Sequence, residues 1–308
     1  MLMIYLYYLS ILCHLPFGSL SGNEVDSIAS EEAANAFIEQ VTGKDYYKIA
    51  GDSLLWSELG MVVDKKFEKW HVFDVNNDGL NDLVANIKSF SDLQGLVILG
   101  ALDDQYQYRT FVSRRFGSRA GLRWVGEGDT QLELTRLHRA PLNKPDTMYA
   151  YQTVVEIDTL VFKYGAFLSM SRSFFGQEIK KVSLSTMGCF GTCPKMEIEI
   201  KESGEALLKA IAYNDEMYGM YQGSVAPGDW ERICKIIDYV NPQLLHETYS
   251  VPWTDDQTYK LTIVTKDNRR FTIEDYGGLG DVGLEVLYGE LLDLRFSQQW
   301  QRISKRVK

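Results

Sequence analysis

Residues 181–201 read KVSLSTMGCFGTCPKMEIEIK, with alternating apolar residues on either side of a pair of cysteines. Apolar residues at every second position are typical of half-buried strands, so we expect strands over 181–186 and 196–201. Cys189 and Cys193 flank Phe-Gly-Thr, and the glycine between them permits a tight reversal of the chain. The stretch therefore predicts two neighbouring strands whose connecting turn carries both cysteines.

The cysteine pair has three interpretations: half of a zinc site, a thiol–disulfide switch, or a disulfide that closes the turn. A zinc site needs four Cys or His ligands, and no histidine stands at ligand spacing from the pair. A thioredoxin-like switch needs two residues between its cysteines at a helix N-terminus. Here three residues intervene, and Pro194 leads into a strand. We predict a structural disulfide between Cys189 and Cys193 and keep redox activity as the alternative, because a small ring can be reducible.

The first 22 residues, MLMIYLYYLSILCHLPFGSLSG, form an apolar run that ends in small residues. Ser19 and Ser21 stand at the positions that a signal peptidase reads, which predicts a signal peptide over residues 1–21. An uncleaved anchor is the alternative, although the apolar run is short for a membrane-spanning helix. We therefore expect an exported protein, periplasmic or associated with the outer envelope, in a compartment where disulfides form.

Composition and motifs limit the classes of function. The net charge of -10 and the pI near 5.0 argue against binding to nucleic acid, which needs a clustered basic surface. Gly278, Gly280 and Gly283 match G-x-G-x-x-G, but a dinucleotide site also needs a following parallel strand and an acidic residue about 20 positions on. We therefore expect no nucleotide cofactor. The chain has neither G-x-S-x-G nor H-E-x-x-H, and no complete catalytic site can be assembled from it.

The distribution of elements predicts an α+β protein of two domains. Residues 24–172 read as a β-rich N-terminal domain with one leading helix, capped by Ser30 and stopped by Gly43. Residues 176–300 read as an antiparallel sheet with two helices on one face. Residues 301–308 read as a frayed basic tail. After removal of the leader we expect no membrane span.

Residues 74–82, DVNNDGLND, place acidic or amide side chains at alternate positions. Calcium needs several oxygen ligands, and such positions in a tight loop converge on one point. The predicted ligands are Asp74, Asn76, Asp78, Asp82 and the carbonyl of Leu80. The stretch resembles the Asp-x-Asn-x-Asp-Gly loops of calcium-binding repeat proteins, more closely the strand-loop-strand type than the EF-hand, because Ala85 stands at the twelfth position. The expected affinity is weak, ~0.1–1 mM, which is the range of extracellular calcium-binding modules. The alternative is a metal-free hairpin that turns at Gly79.

A family resemblance covers about residues 178–298. The stretches SLSTMGCFGTCPKMEIEI, ESGE, WTDDQTYKLTI and FTIEDYGG, with the helix of Trp230, resemble a bacterial domain of unknown function. The signature of that domain is Cys-(Phe or Tyr)-Gly-x-Cys-Pro. This chain departs from the family at Met196, where an aromatic residue is usual. The resemblance implies an extracytoplasmic envelope domain and an acidic position at Asp255 or Asp256, and it supplies no activity.

Three hypotheses of function follow from these observations. The leading one is a non-catalytic exported envelope protein, a binding or structural module of unknown ligand. Its predicted ligand surface consists of Trp253, Asp255, Asp256 and Tyr259, aromatic and acidic residues that could line a shallow pocket. The first alternative is a thiol–disulfide redox protein that uses Cys189 and Cys193. The second is a carboxylate-dependent hydrolase, which requires a cleft where one carboxylate has a raised pKa.

Overall fold

The computed structural model describes residues 22–90, 92–111, 119–125, 132–141, 151–251 and 254–304. Two sheets form an α+β fold in two parts, which confirms the predicted fold class. The predicted leader, residues 1–21, lies outside the described residues. Within the described ranges, no helix is both long and apolar enough to cross a membrane.

The N-terminal part is a sheet of nine strands among the described residues. Its strands are β1 (Tyr47–Ile49), β2 (Trp70–Phe73), β3 (Asp82–Ser89), β4 (Asp92–Leu99), β5 (Gln107–Phe111), β6 (Arg119–Trp124), β7 (Leu132–Pro141), β8 (Tyr151–Lys163) and β9 (Ala166–Ser169). Their order is β1-β3-β4-β6-β7-β8-β9, with β2 paired to β3 and β5 paired to β4. All pairs are antiparallel except β4 with β6. The β-rich N-terminal part is therefore confirmed.

The predicted leading helix is α1 (Glu31–Thr42), and it begins and ends at the predicted residues. The Ser30 hydroxyl caps it by accepting the Ala33 N–H at 3.2 Å. Gly43 ends it with a left-handed φ of 68°, a conformation that glycine adopts without strain. Phe37 and Ile38 pack against apolar side chains of β3 and β4, so the helix covers one face of the sheet.

The structure contains a second helical segment that the sequence does not predict. It consists of α2 (Asp52–Leu55), a π turn (Trp56–Gly60) and α3 (Met61–Val63). Leu55 and Leu59 are buried in a cluster with Leu93 of β4. Successive side chains of a strand point to opposite faces. Because Leu96 of β4 packs on the α1 side, this segment covers the opposite face of the sheet.

The C-terminal part is a second, eight-stranded sheet. Its strands are β10 (Ile179–Thr186), β11 (Lys195–Lys201), β12 (Glu205–Ala212), β13 (Gly219–Ser224), β14 (Thr248–Ser250), β15 (Thr258–Thr265), β16 (Arg270–Tyr276) and β17 (Trp300–Ser304). Their order is β14-β16-β15-β10-β11-β12-β13-β17. The pairs are antiparallel apart from β14 with β16.

Two helices, α4 (Pro227–Val240) and α5 (Val282–Ser297), pack on one face of this sheet, as predicted. Alternation along β10 explains why: Val182 and Leu184 are buried in the core with both helices, whereas Ser183 and Ser185 lie on the other face. That outer face carries cross-strand ion pairs such as Lys209 with Glu197 at 3.1 Å.

The prediction of a frayed tail from residue 301 is wrong for residues 301–304. Trp300–Ser304 forms β17, which pairs with β13 at the edge of the sheet. The Trp300 indole N–H donates to the Leu294 carbonyl at 3.0 Å and fixes the start of the strand. Because most side chains of this edge strand are exposed, its sequence lacks the alternating apolar pattern that identified the other strands.

Candidate functional site

The two cysteines join the ends of adjacent strands. Cys189 and Cys193 form a disulfide whose Cα atoms lie 5.7 Å apart, a usual separation. Because β10 ends at Thr186 and β11 begins at Lys195, the bridge closes the connection between these two strands. This is the pairing and the place that the sequence predicts, and the cysteines lie at a strand turn rather than at the start of α4 or α5.

Hydrogen bonds from neighbouring segments hold the disulfide loop in place. The side chains of Thr186 and Gln257 both donate to the Pro194 carbonyl, each at 2.6 Å. The Phe190 N–H donates to the Asp255 carbonyl at 3.0 Å. The loop is therefore fixed by the strand before it and by the segment that precedes β15, in addition to its own covalent bond.

The disulfide loop displays apolar side chains at one end of the C-terminal sheet. The β12–β13 connection lies at the same end, because Asn214 donates from Nδ2 to the Lys195 carbonyl at 2.8 Å. We call residues 187–194 and 213–218 the disulfide end. Its exposed large side chains are Met187, Phe190, Tyr213 and Tyr218, of which Phe190 is 89% exposed. Exposed aromatic residues on a fixed loop are typical of a recognition surface.

The third described cysteine, Cys234, lies on α4 and is half-buried against the C-terminal core. Burial raises the pKa of its thiol to about 12. Because the thiolate is the reactive form, burial disfavours reaction of this thiol near neutral pH. It serves as a small apolar side chain of the core, which agrees with its place on the apolar face of the helix.

The residues predicted to bind calcium form a compact turn between β2 and β3. The Asp74 carboxylate accepts the N–H groups of Asp78 and Gly79, at 3.2 and 2.9 Å. The Asp78 carboxylate accepts the Leu80 N–H and the Asn76 side-chain amide, both at 2.9 Å. In the part of the chain that the structure describes, no group of three His, Cys, Asp or Glu residues is arranged to hold a metal ion. Calcium binding stays a prediction.

The last predicted calcium ligand, Asp82, is fully buried. Its two carboxylate oxygens accept the N–H groups of Val75 and Gly100, both at 2.7 Å. Burial raises the pKa of Asp82 to about 6, helped by the charges of Asp78 and Asp74, while the two backbone hydrogen bonds act in the opposite direction. Asp82 therefore ties the turn before β3 to the end of β4.

The four residues of the predicted ligand surface do not form one patch. Trp253 lies outside the described residues. Tyr259 is 6% exposed, and its ring stacks on that of Tyr288 with centroids 4.6 Å apart, so the prediction is wrong for Tyr259. The alternation of β15 turns this side chain towards the core. Asp255 is exposed and Asp256 half-exposed, both in the segment that holds the disulfide loop.

The glycine-rich turn between β16 and α5 binds a carboxylate of the same chain. The buried side chain of Asp275 accepts the N–H groups of Leu279 and Gly280, at 3.2 and 2.9 Å. These are the kind of donors that would meet a phosphate in a nucleotide loop. Asp281 caps α5 by accepting the Gly283 N–H at 2.7 Å. Burial raises the pKa of both carboxyl groups.

Sequence reasoning misses the charged cluster between the two sheets. Arg136 of β7 is 8% exposed in its side chain and lies 2.8 Å from the Asp158 carboxylate of β8 and 3.2 Å from that of Glu285 on α5. Glu156 lies 3.6 Å away. Burial lowers the pKa of Arg136, but these carboxylates more than offset that effect. The cluster borders a cavity of about 540 Å³ between the sheets.

Comparison with known proteins finds a match for the C-terminal part only. Neither a search of curated proteins nor a search of solved structures finds a match. A family model matches residues 180–295, from β10 to the last turns of α5, within the 178–298 range that the sequence resemblance covers. The matched family is a domain of unknown function, DUF6438.

Proposed function

We propose that this chain is an exported, non-catalytic envelope protein that acts as a binding or structural module. The observation that carries the proposal is the Cys189–Cys193 disulfide, which closes a strand turn. Structural disulfides persist in the bacterial periplasm and outside the cell, whereas cytosolic thiols are kept reduced. The apolar leader at residues 1–21 supports the same compartment. The fixed, exposed disulfide end supports binding rather than chemistry.

The state of the thiols in exported protein tests this proposal. We expect the full chain, expressed with its own leader in a bacterial host, to appear in the periplasmic fraction. After denaturation and alkylation without reductant, mass spectrometry should find Cys234 alkylated and Cys189 and Cys193 unmodified. Protein retained in the cytosol, or exported protein with all three thiols alkylated, would contradict the proposal.

Removal of the disulfide should cost stability without changing the fold. We expect replacement of Cys189 and Cys193 by serine to lower the free energy of unfolding by about 2 kcal/mol, the entropy of closing so short a loop. Urea denaturation measures the change. A reductant should lower the stability of the wild type by the same amount and leave the double variant unchanged. The Cys234→Ala variant is the matched control, and it should keep the full response to the reductant.

The redox alternative has one observation in its favour: both disulfide cysteines are half-exposed. Reactive disulfides usually lie at a helix N-terminus or beside a cation, whereas this one lies beside the segment of Asp255 and Asp256. The reduction potential separates the two functions. A structural disulfide has a potential below about -300 mV, and a potential near that of the glutathione pool would support redox activity instead.

The hydrolase alternative also has one observation in its favour. Asp275 and Asp281 have raised pKa values and line the cavity between the sheets. Their oxygens accept backbone N–H groups of the turn and of α5, which is a structural role. If Asp275 is instead a general acid, hydrolysis of a glycoside or peptide substrate should follow its raised pKa and disappear in Asp275→Asn.

We also propose that the 74–82 turn binds calcium weakly. With a dissociation constant of ~0.1–1 mM, calcium at about 10 mM should raise the free energy of unfolding by about 1–3 kcal/mol. Thermal melts with calcium and with a chelator measure this. Asp74→Asn combined with Asp78→Asn should abolish the response. An unchanged melting temperature in the wild type would remove calcium from the function.

A further inference from the structure

The cavity between the sheets is bordered by two strands. Its wall includes residues 156–158 of β8 and, on the other side, residues 249–251 at the end of β14. The volume of about 540 Å³ is in the usual range for ligand pockets.

Both strands have an open side. β8 pairs with β7 from Tyr151 to Leu160, but its other side pairs with β9 only from Leu160 to Lys163. Within the ranges that the structure covers, no strand pairs with that other side of residues 151–158, and β14 pairs with β16 alone. Open edges present N–H and C=O groups to which another extended segment can bond.

The sequence of the open edge favours such pairing. Val155 and Ile157 are exposed, β-branched residues, and residues 151–158 contain neither Lys nor Pro, which commonly block edge pairing. Pairing between two copies of β8 would bring Glu156 and Asp158 of one chain close to those of the other. Because like charges across strands are destabilising, the edge favours a different partner.

The charge of the cavity wall indicates which kind of partner would bind there. The wall contains four carboxylates, one guanidinium and one imidazole, which are those of Glu156, Asp158, Asp275, Asp281, Arg136 and His246. The guanidinium of Arg136 already pairs with Asp158 and with Glu285, and lies 3.6 Å from Glu156. A concave surface with an excess of one charge concentrates the electrostatic potential, so this cavity attracts a cation.

We propose that this groove binds an extended, basic peptide segment of a partner protein, which adds as a strand to the open edge of β8 and places a Lys or Arg side chain beside Glu156 and Asp158. Backbone hydrogen bonds supply affinity in this mode, and side-chain pockets supply specificity. The inference rests on the proposed function as a binding module, and it names the chemistry of the ligand.

Binding of a designed peptide tests the proposal. The probe is fluorescein-labelled Thr-Lys-Val-Lys-Val-Lys-Thr, titrated with the full-length protein and followed by fluorescence anisotropy. Two matched probes replace every Lys by Glu or every Val by Pro, which reverses the charge or removes backbone donors. We expect the Lys peptide to bind about 10-fold more tightly than either matched probe. Equal binding of all three, or no binding of the Lys peptide at 1 mM protein, would overturn the proposal.

Variants and hydrogen exchange locate the binding. Glu156→Gln should weaken the Lys peptide about 3- to 10-fold, and Ile157→Lys, which places a like charge at an exposed position, should weaken it further. Glu197→Gln, on the outer face of the C-terminal sheet, is the control and should bind as the wild type does. The bound peptide should slow amide exchange in residues 151–158, and protection confined to other segments would refute the site. Failure of the proposed function gives a different result from failure of this inference. The first appears as free thiols in exported protein, and the second appears as a loss of peptide binding.

Discussion

Replacing Arg136 by methionine is expected to lower the free energy of unfolding by about 3 kcal/mol. The variant keeps the length and apolar stem of the side chain but removes the cation that Asp158 and Glu285 share. Asp158 then loses this cation, while Glu285 keeps Arg109 at 3.9 Å. Breaking a buried ion pair by removing one member typically costs 3–5 kcal/mol. Partial exposure of the carboxylates places the expected cost at the lower end. Urea denaturation at pH 7 measures the change.

Two matched variants distinguish this ion pair from simple packing. Arg136→Lys keeps the charge but loses the planar fork, so we expect a smaller loss. Arg269→Met removes an exposed pair with Asp267 and should cost below about 1 kcal/mol. Equal losses in Arg136→Lys and Arg136→Met would mean that the positive charge does not carry the effect, and would assign the loss to packing.

Local patterns in the sequence predicted the features that depend on residues close in the chain. The disulfide needs only two cysteines across one turn, and Cys189 and Cys193 stand four positions apart. The caps of α1 at Ser30 and Gly43 act on the first and last turns of the same helix. Each of these features is encoded by side chains that interact with their own element, so sequence spacing is sufficient to identify it.

The features that sequence reasoning missed depend on distant residues. Arg136 and Glu285 are 149 positions apart, and no local pattern signals that β7 and α5 meet. The neighbours of Tyr259 predict a place on the surface, although the alternation Tyr259, Leu261, Ile263 places it on the buried face of β15. That alternation is a sequence pattern that predicts the burial of Tyr259. The open edge of β8 follows from the order of the strands, which single-strand patterns do not determine.

The role of Asp82 also cannot be read from spacing alone. Its position fits the pattern of a calcium loop, but its carboxylate accepts two backbone hydrogen bonds that stabilise the fold. We expect Asp82→Ala to lower the free energy of unfolding by about 3 kcal/mol, because the N–H groups of Val75 and Gly100 lose their acceptors at a buried site. Asp82→Asn keeps one acceptor oxygen and should lose about half as much. Asp78→Ala, in the exposed part of the same turn, is the control and should lose below about 1 kcal/mol.

The pH dependence of these variants tests whether Asp82 is buried as the structure has it. Burial raises its pKa from the ordinary 3.8 to about 6 in the folded state, so between these two pH values the folded protein holds a proton that the unfolded chain has released. A carboxyl group of this kind favours folding at low pH and loses that contribution as the pH rises through about 6. The deficit of Asp82→Asn relative to the wild type should therefore be larger at pH 4 than at pH 7. A deficit that instead grows with pH would mean that Asp82 is stabilised as an anion, as a bound cation would make it.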